Sequence, residues 1–177
     1  MKKSSFLHYV KRYFKSIQVK ITVADVEFIR TYLSKEEQIL FYRMRRFDQR
    51  HSLEVAYNCL SLGTLPPEII KSRLVKAALL HDIGKCYLKC GLTSRVVYTL
   101  ISYISPKAFK HYAYQKKTKK VLAKLAVLAQ HAEIGAGMLS AITDDMELVE
   151  VVRYHNSEPR QPESYLLPLI READKSV

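Results

Sequence analysis

The stretch Val75-Lys76-Ala77-Ala78-Leu79-Leu80-His81-Asp82-Ile83-Gly84-Lys85 decides how this chain is read. A mostly apolar helical run gives way to an imidazole and a carboxylate side by side, and then to a glycine. An adjacent His and Asp at a helix end can reach one metal ion, or two if the carboxylate bridges. Their nitrogen and oxygen donors suit metals that are not thiophilic. Pro66 and Pro67 open the helix, since proline is best tolerated in a first turn. Lys85 follows Asp82 by three residues, so on a continuing helical turn it faces the same side.

Working outward, other ligand-type residues stand at wide intervals: His51 in Gln49-Arg50-His51-Ser52-Leu53-Glu54, His131 in Gln130-His131-Ala132-Glu133-Ile134-Gly135-Ala136, His155 after Tyr154, and Asp174 after Ala173. Each falls on a helical pattern. His51, Val55 and Cys59 recur at i, i+4 and i+8, which turns His51 inward, and Gly63 ends that helix. Val121 to Gln130, apolar except at Lys124 and Gln130, predicts a deeply packed helix delivering His131. A helix starting at Thr143 or Asp144 runs to His155. The last helix begins between Pro162 and Pro168 and carries an apolar stripe of Leu166, Leu167, Ile170 and Ala173.

Nearer the start, Phe6, Tyr9, Val10, Tyr13, Phe14 and Ile17 outline a basic amphipathic helix, and Ser34-Lys35-Glu36-Glu37 reads as a capping box for a helix carrying Ile39, Leu40 and Tyr42. No run alternates with period two, and no internal repeat appears. The fold class is therefore all-α, a single compact helical bundle. One histidine on an apolar helix is usually a hydrogen-bonded core residue, and His8 and His111 are read that way. The ordered series, not any single member, carries the functional signal.

The order His, His-Asp, His, His, Asp resembles the HD superfamily of metal-dependent phosphohydrolases, and His81-Asp82-Ile83-Gly84-Lys85 with His131-x-x-x-Gly135 resembles its HDIG branch, in particular small bacterial HDIG-domain proteins. The resemblance runs from about Phe47 to the C-terminus. It implies an HD-domain bundle over 47–177, with 1–46 as N-terminal helices packed on or flanking the core and an expanded basic segment at about 86–120. It also implies that His51, His81, Asp82 and Asp174 hold one divalent ion and that Asp82 bridges to a second ion held by His131 and His155. Iron or manganese is the implied metal, with zinc or nickel compatible. Two cations about 3.5–4 Å apart lower the pKa of a shared water and clamp both ends of an in-line phosphoryl displacement.

In that reading Asp82 and Lys85 are the catalytic residues, and Lys85 also binds substrate by holding a phosphate oxygen as a point charge. HD-GYP phosphodiesterases carry a second adjacent His and a Gly-Tyr-Pro element; here Asn156-Ser157-Glu158-Pro159 follows His155, so that specificity is not implied. The expected activity is hydrolysis of a nucleotide-like phosphate ester or anhydride. A metal- and nucleotide-binding sensor, or an RNA-docking module without turnover, is the alternative.

Composition bounds these readings. A chain of 177 residues with 48% hydrophobic content builds a proper core and is not disordered. No apolar run approaches the roughly 20 residues that cross a bilayer. Lys11, Arg12 and Lys15 interrupt any signal-peptide core, so cytoplasmic residence is expected. Cys59, Cys86 and Cys90 cannot all pair within the chain, and their spacing makes no zinc knuckle. The net charge of +12 is uneven: no acid precedes Asp25, and none lies between Asp82 and Glu133, where Lys107, Lys110, Lys116, Lys117, Lys119 and Lys120 cluster. Such fields attract nucleotides, RNA or an acidic membrane surface, the last through peripheral contact of the N-terminal helix. No nucleic-acid-binding motif accompanies the charge.

Overall fold

The computed structural model describes residues 20–61, 67–87, 97–98 and 120–177. The amphipathic N-terminal segment, Gly63, Pro66, Cys90, His8, His111 and the lysine cluster at 107–119 lie outside them. The described residues form seven α-helices and one short 3-10 turn, with no strand, as the missing period-two pattern predicts.

Helix α1 (Val23–Tyr32) starts at Thr22, which trades hydrogen bonds with Asp25 in a capping box. Helix α2 (Lys35–Arg43) starts on the Ser34–Glu37 box that the sequence announces. It buries Leu40 and Phe41 and leaves Ile39 and Tyr42 exposed. The Gln49 side-chain amide donates to the carbonyls of Tyr42 and Met44, at 3.3 and 2.9 Å, and so serves free groups at the end of α2. Helix α3 (Arg46–Ser61) then buries Leu53, Val55, Ala56 and Cys59.

Helix α4 (Glu68–Leu80) is the centre of the bundle. Leu74, Val75, Ala77, Ala78, Leu79 and Leu80 have no exposed surface, so its C-terminal half is apolar almost all round, the pattern of a core helix. Lys76 is the exception, and its ammonium reaches Glu37 on α2 at 3.0 Å. Helices α1, α2, α3, α6 and α7 all pack on α4. The chain leaves α4 through His81 and Asp82 into the 3-10 turn Ile83–Cys86. Helix α5 (Lys120–Ser140) packs against that turn and against α6 (Met146–Tyr154).

The cap of α6 is Asp145, one residue beyond the expected start, and its carboxylate accepts from Leu148 N at 3.1 Å. Helix α7 (Leu166–Ser176) places Pro168 in its first turn and buries the expected Leu166, Leu167, Ile170 and Ala173. No described helix is long and apolar enough to cross a membrane. Cys59 and Cys86 are buried free thiols.

Candidate metal centre

Four helices and the exit of α4 deliver the His and Asp series to one place. His51 comes from the middle of α3, His81 and Asp82 from the end of α4, His131 from inside α5, His155 from the end of α6 and Asp174 from the last turn of α7. The imidazoles form a chain: ring centroids lie 5.4 Å apart for His51–His81, 5.0 Å for His81–His155 and 5.2 Å for His131–His155. Asp82 lies among them, essentially without solvent exposure.

The carboxylate of Asp82 divides the cluster. Its Oδ1 faces His131 Nε2 at 3.2 Å and His155 Nε2 at 3.8 Å. Its Oδ2 faces His81 Nε2 at 3.5 Å and His51 Nε2 at 3.8 Å, and pairs directly with the ammonium of Lys85. His51 Nε2 also lies 2.9 Å from Asp174 Oδ1. Ligand atoms of His51, His81 and Asp174 fall within 4.8 Å of one another, as do those of His81, Asp82 and His155. The Lys85 position agrees with the spacing argument, although the turn that carries it is 3-10 and not α-helical.

Backbone geometry sets the tautomers. Nδ1 of His81, His131 and His155 lies 2.7, 2.7 and 2.8 Å from the carbonyl oxygens of Ala78, Leu128 and Val152 respectively, each three residues upstream. A carbonyl only accepts, so each Nδ1 carries a proton and each ring turns its Nε2 inward as the ligand atom. His131 Nε2 and His155 Nε2 oppose each other at 3.2 Å. Asp82 Oδ1 joins them as a buried oxygen without a hydrogen-bond donor. Two imidazole nitrogens and a carboxylate oxygen converging in one buried place are relieved by a cation among them. The donor set thus fits a divalent metal, with the carbonyl partners orienting the rings in the way that outer groups commonly orient metal-binding histidines.

Electrostatics favours the ligand form of His81, His155, Asp82 and Asp174. Burial holds the His81 imidazole below its usual value against the pull of Asp82 and Asp174. Burial, with His81 and His131 nearby, pushes His155 well below it. Burial opposes the charge on Asp82, but Lys85, His81 and His131 outweigh it and keep the carboxyl well below the normal range. Asp174 is also held down, burial being overcome by the His51 hydrogen bond and the charges of His81 and His51. At neutral pH these shifts leave His81 and His155 neutral and Asp82 and Asp174 ionised, the forms that bind metal.

Exposure is graded across the site. The side chains of His131 and His155 are 8% and 3% exposed, whereas those of Lys85 and Asp174 are 18% and 36% exposed. The centre therefore opens on the Lys85–Asp174 side.

Two supports were not legible as such in the sequence. Gly84 and Gly135 lie in the quoted motifs, but only packing shows why Gly84 must be glycine and how closely Gly135 lies beside it. A Cβ on Gly84 would stand 1.9 Å from the His131 carbonyl oxygen, and one on Gly135 would stand 3.1 Å from Gly84 N. The other support is Arg171, one turn before Asp174 on α7. Its guanidinium donates to Glu163 at 3.0 Å and to the Tyr154 carbonyl at 3.1 Å, so it ties the Asp174 helix to the end of α6 beside His155. Nothing in the spacing of Glu163 and Arg171 distinguishes this pair from an ordinary surface bridge.

Compared with models of known protein families, residues 49–176 match the HD domain. No curated protein and no solved structure matches the chain.

Proposed function

The chain belongs to the HD domain family, whose members are generally metal-dependent phosphohydrolases, and from that premise we propose that it hydrolyses a small anionic phosphate ester or anhydride of nucleotide type. The observation that carries this reading is the convergence of His131 Nε2, His155 Nε2 and Asp82 Oδ1 in one buried place. His131, His155 and Asp82 Oδ1 would hold an inner ion. His51, His81, Asp174 and Asp82 Oδ2 would hold an outer one. Nitrogen and carboxylate donors without thiolate suit iron or manganese, and also accommodate zinc or nickel. Such ions, when bound, acidify a water and neutralise charge on a phosphoryl group.

The protein's own groups do the rest. Asp82 stays ionised and presents one oxygen to each half of the centre. His81, His131 and His155 are held as Nδ1–H tautomers, so no reorganisation is needed before they act as donors of lone pairs. Lys85, at the open side, offers a mobile ammonium to a phosphate oxygen. The buried inner face excludes water from the imidazoles while the exposed Asp174 face admits substrate.

The test combines metal analysis with turnover. The purified protein should carry divalent metal, or bind added manganese, and release phosphate or a nucleoside phosphate from a panel of nucleotides. Asp82→Ala should abolish both properties. Nucleotide binding without turnover by metal-replete protein would overturn the hydrolase reading in favour of a sensor. Full metal occupancy in the Asp82→Ala variant would overturn the site.

A further inference from the structure

We propose that Lys85 is an internal rival of the outer ion: its ammonium sits on Asp82 Oδ2, the oxygen turned toward His51 and His81, and yields that oxygen when an anionic phosphate draws it away. The proposal rests on the metal-centre reading above and adds an order of loading to it.

The argument starts from the two unlike faces of Asp82. Oδ1 meets the Nε2 atoms of His131 and His155 and Lys85 does not reach it, so an inner cation has no ammonium competitor there. Oδ2 already has a cationic partner in Lys85. An ammonium and a divalent cation sharing one carboxylate oxygen stand only a few ångströms apart, where like charges in a partly buried site repel strongly. The inner and outer ions are therefore unequal by construction, although Asp82 serves both.

Lys85 is also placed to leave. Its side chain is 18% exposed, on the side where Asp174 opens to solvent, and its ammonium rides on a flexible four-carbon stem. A phosphate arriving at that side offers Lys85 a dianionic partner in exchange for Asp82. Removing the ammonium from Oδ2 strengthens the outer site. Phosphate and the outer ion then bind with positive coupling, which is reciprocal by thermodynamic necessity. The inner ion becomes a resident, and the outer ion loads with the substrate.

The experiment is a manganese titration of chelator-stripped, full-length protein, followed by calorimetry and by the electron paramagnetic resonance of free manganese, with and without inorganic phosphate. Wild type should bind in a tight step and a weak step, and phosphate should tighten the weak one. In Lys85→Met the weak step should tighten by about tenfold, within the usual range of coupling between sites, and lose its response to phosphate. The tight step should not move. Lys85→Arg, which keeps the charge, should behave as wild type. If Lys85→Met does not fold, as judged by circular dichroism, Lys85→Gln carries the same expectation. A weak step that is unchanged or weaker in the neutral variant overturns the role of Lys85 and leaves the metal centre standing. Failure of the wild type to bind manganese, iron or zinc at all overturns the metal reading, and this inference with it.

Discussion

Gly84 lies against the backbone of His131 so closely that a Cβ on the glycine would come within 1.9 Å of the His131 carbonyl oxygen and 2.6 Å of Gly135 N. The turn after Asp82 and the helix carrying His131 thus meet backbone to backbone. That contact sets the 3.2 Å separation of Asp82 Oδ1 and His131 Nε2. Gly84→Ala must push α5 off the turn, because the obstacle is main chain and cannot rotate away. The expected loss is about 3 kcal/mol, the upper end for overpacking, with weakened metal binding at the inner site. Gly137→Ala is the internal control: its Cβ would meet nothing within 4 Å on the same helix. It should stabilise by up to about 1 kcal/mol through helix propensity. Urea unfolding of both variants checks the pair; equal effects would contradict the close approach.

The buried histidines make stability depend on pH in a definite direction. His81 and His155 are held below the ordinary 6.5 by burial, so the unfolded chain binds protons that the native state refuses. Their contribution is complete above the unfolded value and is lost as pH falls from there toward the depressed native values. Chelator-stripped protein should therefore lose about 1.4 kcal/mol per pH unit for each histidine in that window. Asp82 and Asp174, whose values are depressed below 3.8, add a further loss only at lower pH. Urea midpoints at pH 8, 6.5 and 5 in the presence of chelator read the slope, and a flat profile would refute it.

Asp25 is a buried hub that anchors α1 to α3. It accepts from Thr22 N, Thr22 Oγ1 and Tyr57 Oη, each at 2.8 Å, and from Arg50 at 3.2 Å. Burial works against its charge, but these donors keep its pKa lowered. Burial and Asp25 in turn push the Tyr57 phenol up to about 12. Tyr57→Phe should cost about 2 kcal/mol, a hydrogen bond to a charged group. It should also remove one late step, near pH 12, from the ultraviolet titration of the tyrosines. Loss of a step near pH 10 instead would place Tyr57 in solvent.

Arg171 and Glu163 form the least exposed ion pair among the described Arg and Lys bridges, with side chains 10% and 6% exposed. Removing one partner leaves the other charge buried, so Arg171→Met or Glu163→Leu alone should destabilise by about 3–5 kcal/mol. The double variant should recover much of that loss. A double-mutant cycle measures the coupling, and additive single effects would show that the pair acts only through packing. Arg171→Met should also weaken metal binding more than its distance suggests, since it loosens Asp174 relative to His155.

Much of the fold and the site is legible in the sequence. The Ser34–Glu37 box, the apolar face of α7 and the placement of Pro168 depend on side chains within one turn of each other, and they appear where the pattern puts them. The Thr22–Asp25 box gives a weaker signal in the sequence, because Asp takes the place of the usual Glu at its fourth position. The break between α2 and α3 at Met44 and Arg45 had no glycine or proline to signal it; Gln49 makes it by serving the carbonyls at the end of α2.

What the sequence by itself determined is an all-helical chain with its imidazoles and carboxylates in a recognisable order, and a lysine one turn from the central aspartate. These are local properties, settled by helical period, capping and residue chemistry over a few positions. Tertiary structure alone decided which oxygen of Asp82 faces His51, His131 and His155. It also decided that Gly84 must lack a side chain and that Arg171 spans to Glu163 and Tyr154. The reason is physical: His51 and Asp174 meet at 2.9 Å across most of the chain's length, and a distance of that kind comes from how helices pack and not from any pattern along one of them.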